Sequence, residues 1–167
     1  MNNVILVDEQ DVEIGIAEKL KAHQDGLLHR AFSIFIFNSK NELLIQQRAQ
    51  GKYHSAGLWT NTCCSHPLPK MDLVECGKQR LLEEMGLKVD DLIVKNYFIY
   101  RAEFSNGLIE HELDYILIGH SDDTPILNPE EAQNFSWISL DDLKAKIIMS
   151  PHQFTFWLKE IFNRELM

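Results

Sequence analysis

Two runs of β-forming residues close together in the chain constrain its fold most. RAFSIFIF (30–37) is one and LLIQQR (43–48) is the other, and the polar turn NSKN (38–41) between them predicts a hairpin. The same reading gives a short strand at 3–7 (NVILV), a turn at 8–11, a short helix or irregular arm at 16–23, a polar loop at 49–55 and a short strand at 58–61. Residues 72–85 carry helical periodicity, with Val74, Gly77, Leu81 and Met85 on one face, Asp72 as N-cap and Gly86 as the stop. Strands over 92–104 and 110–119, with a turn at 105–107, predict a second hairpin. A strand at 134–138 leads through the cap Ser139 to a helix over 140–148, and Pro151 opens a final helix to about residue 165. Strands interleaved with helices and joined by hairpins mean an α/β chain, a mixed sheet covered by helices on both faces.

Length and charge limit what such a chain does. Its 167 residues suit a single domain, 1–167, with 45% hydrophobic and 25% charged residues. The net charge of −9 argues against nucleic acid and against an anionic membrane surface as partners. No apolar run approaches the roughly 20 residues that span a bilayer, and the opening MNNVILVDEQ does not read as a signal peptide. Three cysteines, two of them adjacent, do not make a disulfide framework and point to a reducing, cytoplasmic compartment.

Four clusters could carry chemistry. TNTCCSHP (60–67) sets Cys64 two residues from His66; the thiol can serve as nucleophile or acid/base and the imidazole can bind metal, or both can be small buried or surface residues without a role. Glu110 and Glu112 share one face of a strand, which is costly unless a cation lies between them, one is protonated, or the face is solvated. Glu83 and Glu84 end the 72–85 helix, where Glu84 either pairs with Arg80 at i,i+4 or offers oxygen to Mg²⁺. His23 and His29 flank QDGLL; with His66 and the two glutamates they make a set suited to a divalent transition metal. Lys19, Lys21, Arg48, Lys52 and Arg80, if gathered, suit a diphosphate.

Taken together and in order, these segments resemble type I isopentenyl diphosphate isomerase, a branch of the Nudix fold. NVILVDEQDVEIGIAEKLKAH resembles the family's opening arm, which carries metal-ligating histidines. FIFNSKNELLIQQRA resembles its first hairpin, GLWTNTCCSHP its most specific signature, LLEEMGL the remnant of a Nudix helix and EHELDY the paired-glutamate strand. A Nudix hydrolase box reads G-x5-E-x7-R-E-U-x-E-E-x-G-U, with U aliphatic. Aligned on Gly86, this chain has Ser65 for the first glycine, Met71 for the next glutamate, and Gln79 and Arg80 for the Arg-Glu pair, while Glu83, Glu84, Gly86 and Leu87 fit. The rival reading, a Nudix-type diphosphate hydrolase, therefore lacks much of its box.

The resemblance implies a Nudix-like α/β/α fold and the interconversion of isopentenyl and dimethylallyl diphosphate. It implies Cys64 and Glu112 as the proton-transfer pair, with Tyr100 hydrogen-bonded to the active-site glutamate. It implies His23, His29, His66, Glu110 and Glu112 as ligands of one divalent metal, Zn²⁺ or Mn²⁺, and Glu84 as a ligand of Mg²⁺ on the diphosphate. Lys19, Arg48, Lys52 and Arg80 match diphosphate-binding positions, with Lys21 a weaker match. The family has a pocket tryptophan after a Ser-Pro or Thr-Pro near the C-terminus; the matched position here is His152, with Trp59, Tyr100 and Trp157 available to compensate. The reaction adds a proton to an unactivated alkene and removes another, so it needs a strong, well-placed acid, an opposed base and a dry site. The expected partner is a small isoprenoid diphosphate, and the expected state a monomer or weak dimer.

Overall fold

The computed structural model describes residues 2–167. Its strands are β1 (Asn3–Val7), β2 (Glu13–Glu18), β3 (His29–Phe37), β4 (Glu42–Arg48), β5 (Trp59–Thr60), β6 (Cys63–Ser65), β7 (Ile93–Glu103), β8 (Ile109–His120) and β9 (Ala132–Ser139). Its helices are α1 (Lys19–Asp25), α2 (Leu73–Met85), α3 (Leu140–Met149) and α4 (Phe156–Asn163).

The central strand is β3, and both of its faces are buried. Phe32, Ile34 and Ile36 pack with Leu81 and Met85 of α2, while Phe35 packs with Leu143 and Ile147 of α3 and Trp157, Leu158 and Ile161 of α4. The result is helix, mixed sheet, helix, as the sequence pattern requires. Each of these fully buried large side chains contributes roughly 1.5–3 kcal/mol. α2 is capped as expected: the Asp72 carboxylate accepts from the Val74 and Glu75 amides, and Gly86 takes a left-handed conformation at φ 65°. Gly77 lets α2 approach the sheet, since a Cβ there would lie 3.0 Å from Leu117 Cδ1.

Three elements depart from the sequence reading. The 30–37 and 43–48 runs are strands, but β3 and β4 pair only at the turn, Phe37 with Leu43. The chain of 59–65 is inserted between them instead, β5 on β4 and β6 on β3, and β4 takes β9 as its long partner. β3 runs parallel to β8, from His29 opposite Glu112 to Phe37 opposite His120. Residues 16–23 are not one helix: Ile14 and Ile16 lie in β2, and α1 starts only where Glu18 accepts from the Leu20 amide. The last helix begins at Phe156 rather than Pro151, because Pro151–Gln153 forms a single 3₁₀ turn and Phe154 then bridges to Trp59.

Candidate active site

Strand alternation separates the adjacent cysteines of β6. Cys63 points toward α2, where its thiol donates to Glu84 Oε2 at 2.9 Å. Cys64 points to the opposite face, toward Trp157 of α4, whose Nε1–H donates to Cys64 Sγ at 3.0 Å and to Asn61 Oδ1 at 3.2 Å. The Cys64 thiol in turn lies 3.2 Å from Asn61 Oδ1. Burial, followed by the nearby Asp114 carboxyl, pushes this thiol up to about 12.

Along β8 the same alternation sets Glu110, Glu112 and Asp114 in a row, all buried. Tyr100, across the β7–β8 pair from Glu112, donates its hydroxyl to Glu112 Oε1 at 2.6 Å and also bonds Glu110. The parallel register with β3 puts His29 opposite Glu112, with His29 Nε2 3.1 Å from Glu112 Oε2; His66 Nε2 reaches the same oxygen at 2.7 Å. Burial alone would raise Glu112, but the hydrogen bonds from His29 and His66 hold it well below the usual carboxylate range. Asp114 goes the other way, raised by burial and then by Glu112 beside it; Ser33 Oγ donates to its Oδ2 at 2.7 Å.

Possible metal donors fall into two overlapping groups that share His23: His23, His29, His66 and Glu112, and His23, His54 and Glu110. The five residues implied by the resemblance are all present, but divided between these groups, and His54 joins them. His23 Nε2 is fully buried, has no hydrogen-bond partner, and lies 3.9 Å from Glu110 Oε2. That gap is too long for a hydrogen bond and matches two bonds of roughly 2.1 Å to one ion. Imidazoles with carboxylates suit a borderline transition metal, so this chain's residues fit such an ion.

A cavity of about 320 Å³ brings Cys64, His66, Tyr100, Glu110, Glu112 and Trp157 together with Lys19, Arg48, Lys52, Arg80 and Glu131. Lys52 pairs with Glu131 at 2.7 Å, and Arg80 reaches Glu83, Glu84 and Glu131. Arg48 is buried, with its guanidinium 5.2 Å from the Trp157 ring. Lys21 instead pairs with Asp25 on the surface. Glu84 is buried behind the cavity lining, between Cys63 and Arg80, and burial raises its pKa. The two pocket residues expected from the sequence, Trp59 and His152, do not line this cavity; His152 is exposed and borders a separate surface cleft. Trp157 fills the place expected of His152, because the 3₁₀ turn after Pro151 carries His152 outward and α4 then turns the indole inward.

The family profile described as the NUDIX domain matches residues 27–158. Among curated relatives, isopentenyl-diphosphate Delta-isomerase 1 of Aromatoleum aromaticum is 50% identical over 163 residues, covering 98% of this chain and 92% of that protein. The chain belongs to the isopentenyl-diphosphate Delta-isomerase family. Another member, the isopentenyl-diphosphate Delta-isomerase of Pectobacterium atrosepticum, is 46% identical over 98% of this chain and 91% of its own length. Two solved structures share the fold. A Deinococcus radiodurans protein superposes with a TM-score of 0.69 at 20% identity, over 88% of this chain and 89% of its own. A MutT protein of Methanosarcina mazei superposes with 0.65 at 19% identity, over 82% and 91%.

For a member of this isomerase family, the residues the sequence reading left aside are as informative as those it named. Asn61 is fully buried and ties β6 to β3 through the Ile34 carbonyl while accepting from Thr60, Cys64 and Trp157. Glu131 anchors two of the basic residues, and His54 meets Glu110. No local pattern marks the last two; each gains its partner only when the loop between β4 and β5 packs against the rest of the fold. Among the described residues, no helix is long and apolar enough to cross a membrane.

Proposed function

We infer that this chain interconverts isopentenyl diphosphate and dimethylallyl diphosphate by adding a proton to the alkene at one carbon and removing one from another. The observation that carries the reading is that one cavity holds a thiol, a tyrosine-bound carboxylate and four cations in a chain of net charge −9. Cys64 and Glu112 are the proton-transfer residues. Tyr100 fixes both carboxylates, so that Glu112 keeps one orientation while its proton count changes. Lys19, Arg48, Lys52 and Arg80 bind the diphosphate, whose remote binding energy orients a small hydrocarbon with no polar handle of its own. Trp157 walls the reacting carbons, presents a π face to positive charge and helps exclude water, which would trap a carbocation as an alcohol.

His23, His29, His66, Glu110 and Glu112 would hold a transition metal (Zn²⁺ or Mn²⁺), which would stiffen Glu112 and tune its basicity, and Glu84 would help hold Mg²⁺, which would offset diphosphate charge. The 167 residues act as one cytoplasmic domain, monomer or weak dimer, on a small molecule without nucleic acid or membrane; the acidic balance supports this. Hydrolysis is disfavoured by Met71 and Gln79 at positions where a hydrolase box carries Glu and Arg.

Incubation with isopentenyl diphosphate and Mg²⁺ in D₂O, followed by proton and phosphorus NMR, tests the reading. Deuterated dimethylallyl diphosphate without released phosphate is the expected product. Cys64→Ala and Glu112→Gln are each expected to abolish turnover while still binding inorganic pyrophosphate. Phosphate release, or near-normal turnover in either variant, overturns the assignment.

A further inference from the structure

We propose that His54, through Glu110, is a positioning residue of the metal centre. The inference rests on the reading above that His23 and Glu110 hold a divalent ion. His54 is 6% exposed, and its Nε2 lies 2.5 Å from Glu110 Oε2. A carboxylate oxygen only accepts, so the Nε2 proton points at Glu110, and Nδ1 is left to accept from Ser55 Oγ at 3.0 Å. The ring has little freedom to leave this position. It stacks on Phe104 with centroids 4.5 Å apart at 7°, and meets Tyr53 edge-on at 4.5 Å and Trp157 edge-on at 5.9 Å. Arg48 fixes the backbone by donating to the His54 carbonyl at 3.2 Å.

Glu110 is therefore gripped at both oxygens, by Tyr100 at Oε1 and His54 at Oε2. A carboxylate oxygen has a second lone pair, and that of Oε2 remains for an ion facing the unpartnered His23 Nε2. His54 falls outside the group His23, His29, His66 and Glu112, so an ion seated among those four is beyond its direct reach. Its effect passes through Glu110, as hydrogen-bond partners of metal-ligating side chains commonly act. Without the imidazole, Glu110 would be free to swing away from His23.

The test uses the full chain stripped of metal by chelation and titrated with Co²⁺, read by its visible d–d bands and by competition with Zn²⁺. His54→Ala is expected to weaken Co²⁺ binding about 10- to 100-fold, with band intensity unchanged because no ligand is lost. His54→Gln, whose amide N–H can still reach Glu110, is expected to bind within about threefold of the parent; it also decides the matter if the alanine variant does not fold. Parent-like affinity in His54→Ala overturns the proposal. So does loss in His54→Gln equal to that of alanine with altered band intensity, which would make the imidazole a ligand itself. If the parent chain binds no Co²⁺ or Zn²⁺, the metal-centre reading itself fails and the proposal with it.

Discussion

Trp157→Phe removes one N–H while keeping an aromatic ring in the cavity wall, so it isolates what the indole nitrogen does. That nitrogen donates to Cys64 Sγ at 3.0 Å and to Asn61 Oδ1 at 3.2 Å. In the resting protein the sulfur is a neutral thiol, so the lost hydrogen bond costs about 0.5–1.5 kcal/mol. The smaller ring at a site only 2% exposed leaves a void costing about 1–2 kcal/mol more. For a domain of this size the sum, about 1.5–3.5 kcal/mol, lowers Tm by roughly 3–14 °C. In the proposed reaction Cys64 gives up or takes on a proton, so its sulfur would pass through anionic character, and a hydrogen bond to a charged group is worth about 1.5–3 kcal/mol. Only the excess over the neutral bond, about 1–1.5 kcal/mol, slows the reaction, so turnover should fall about 5- to 13-fold, with KM for isopentenyl diphosphate little changed. The assays are thermal unfolding and steady-state kinetics on Trp157→Phe and His152→Ala side by side. His152 is exposed and is not part of the cavity lining, so its variant should stay within about 0.5 kcal/mol in stability and within about twofold in kcat. A folded Trp157→Phe protein with kcat within threefold of the parent refutes the sulfur hydrogen-bond reasoning. A His152→Ala loss as large as that of Trp157→Phe refutes the location of the pocket.

Three further outcomes follow from the geometry. Gly86→Ala forces φ 65° on an L-residue and sets its Cβ 2.7 Å from the Ile126 carbonyl oxygen and Cβ; urea unfolding should show a loss of about 2–4 kcal/mol. Asp72→Ala removes the cap accepted by two α2 amides and should cost about 1 kcal/mol, measured the same way, with turnover unchanged. Chelation should lower the Tm of the metal-loaded chain and raise hydrogen exchange in α1, because in the proposed site only an ion would join His23 of α1 to the β8 carboxylates; equal exchange with and without metal would show that the arm needs no ion.

Local rules in the sequence determined most of the elements. The alternation of Glu110 and Glu112, the helix from Asp72 to Gly86 and the cap at Ser139 each depend on neighbours a few residues away, and periodicity and capping chemistry report such contacts directly. The resemblance added the residues proposed to react, because TNTCCSHP and EHELDY carry them within short segments.

Register was decided only in three dimensions. His29 lies beside Glu112 because β3 runs parallel to β8, a pairing across 83 residues that no local pattern encodes. β6 enters beside β3 in place of the expected hairpin partner, and this turns Cys63 to Glu84 and Cys64 to Trp157. A 3₁₀ turn chose Trp157 over His152 for the cavity, and folding brought His54 from a polar loop onto Glu110. Each of these contacts is made between segments far apart in the chain, so its energy depends on the packed whole rather than on either segment. The sequence alone could therefore name the groups, and the tertiary structure assigned their partners.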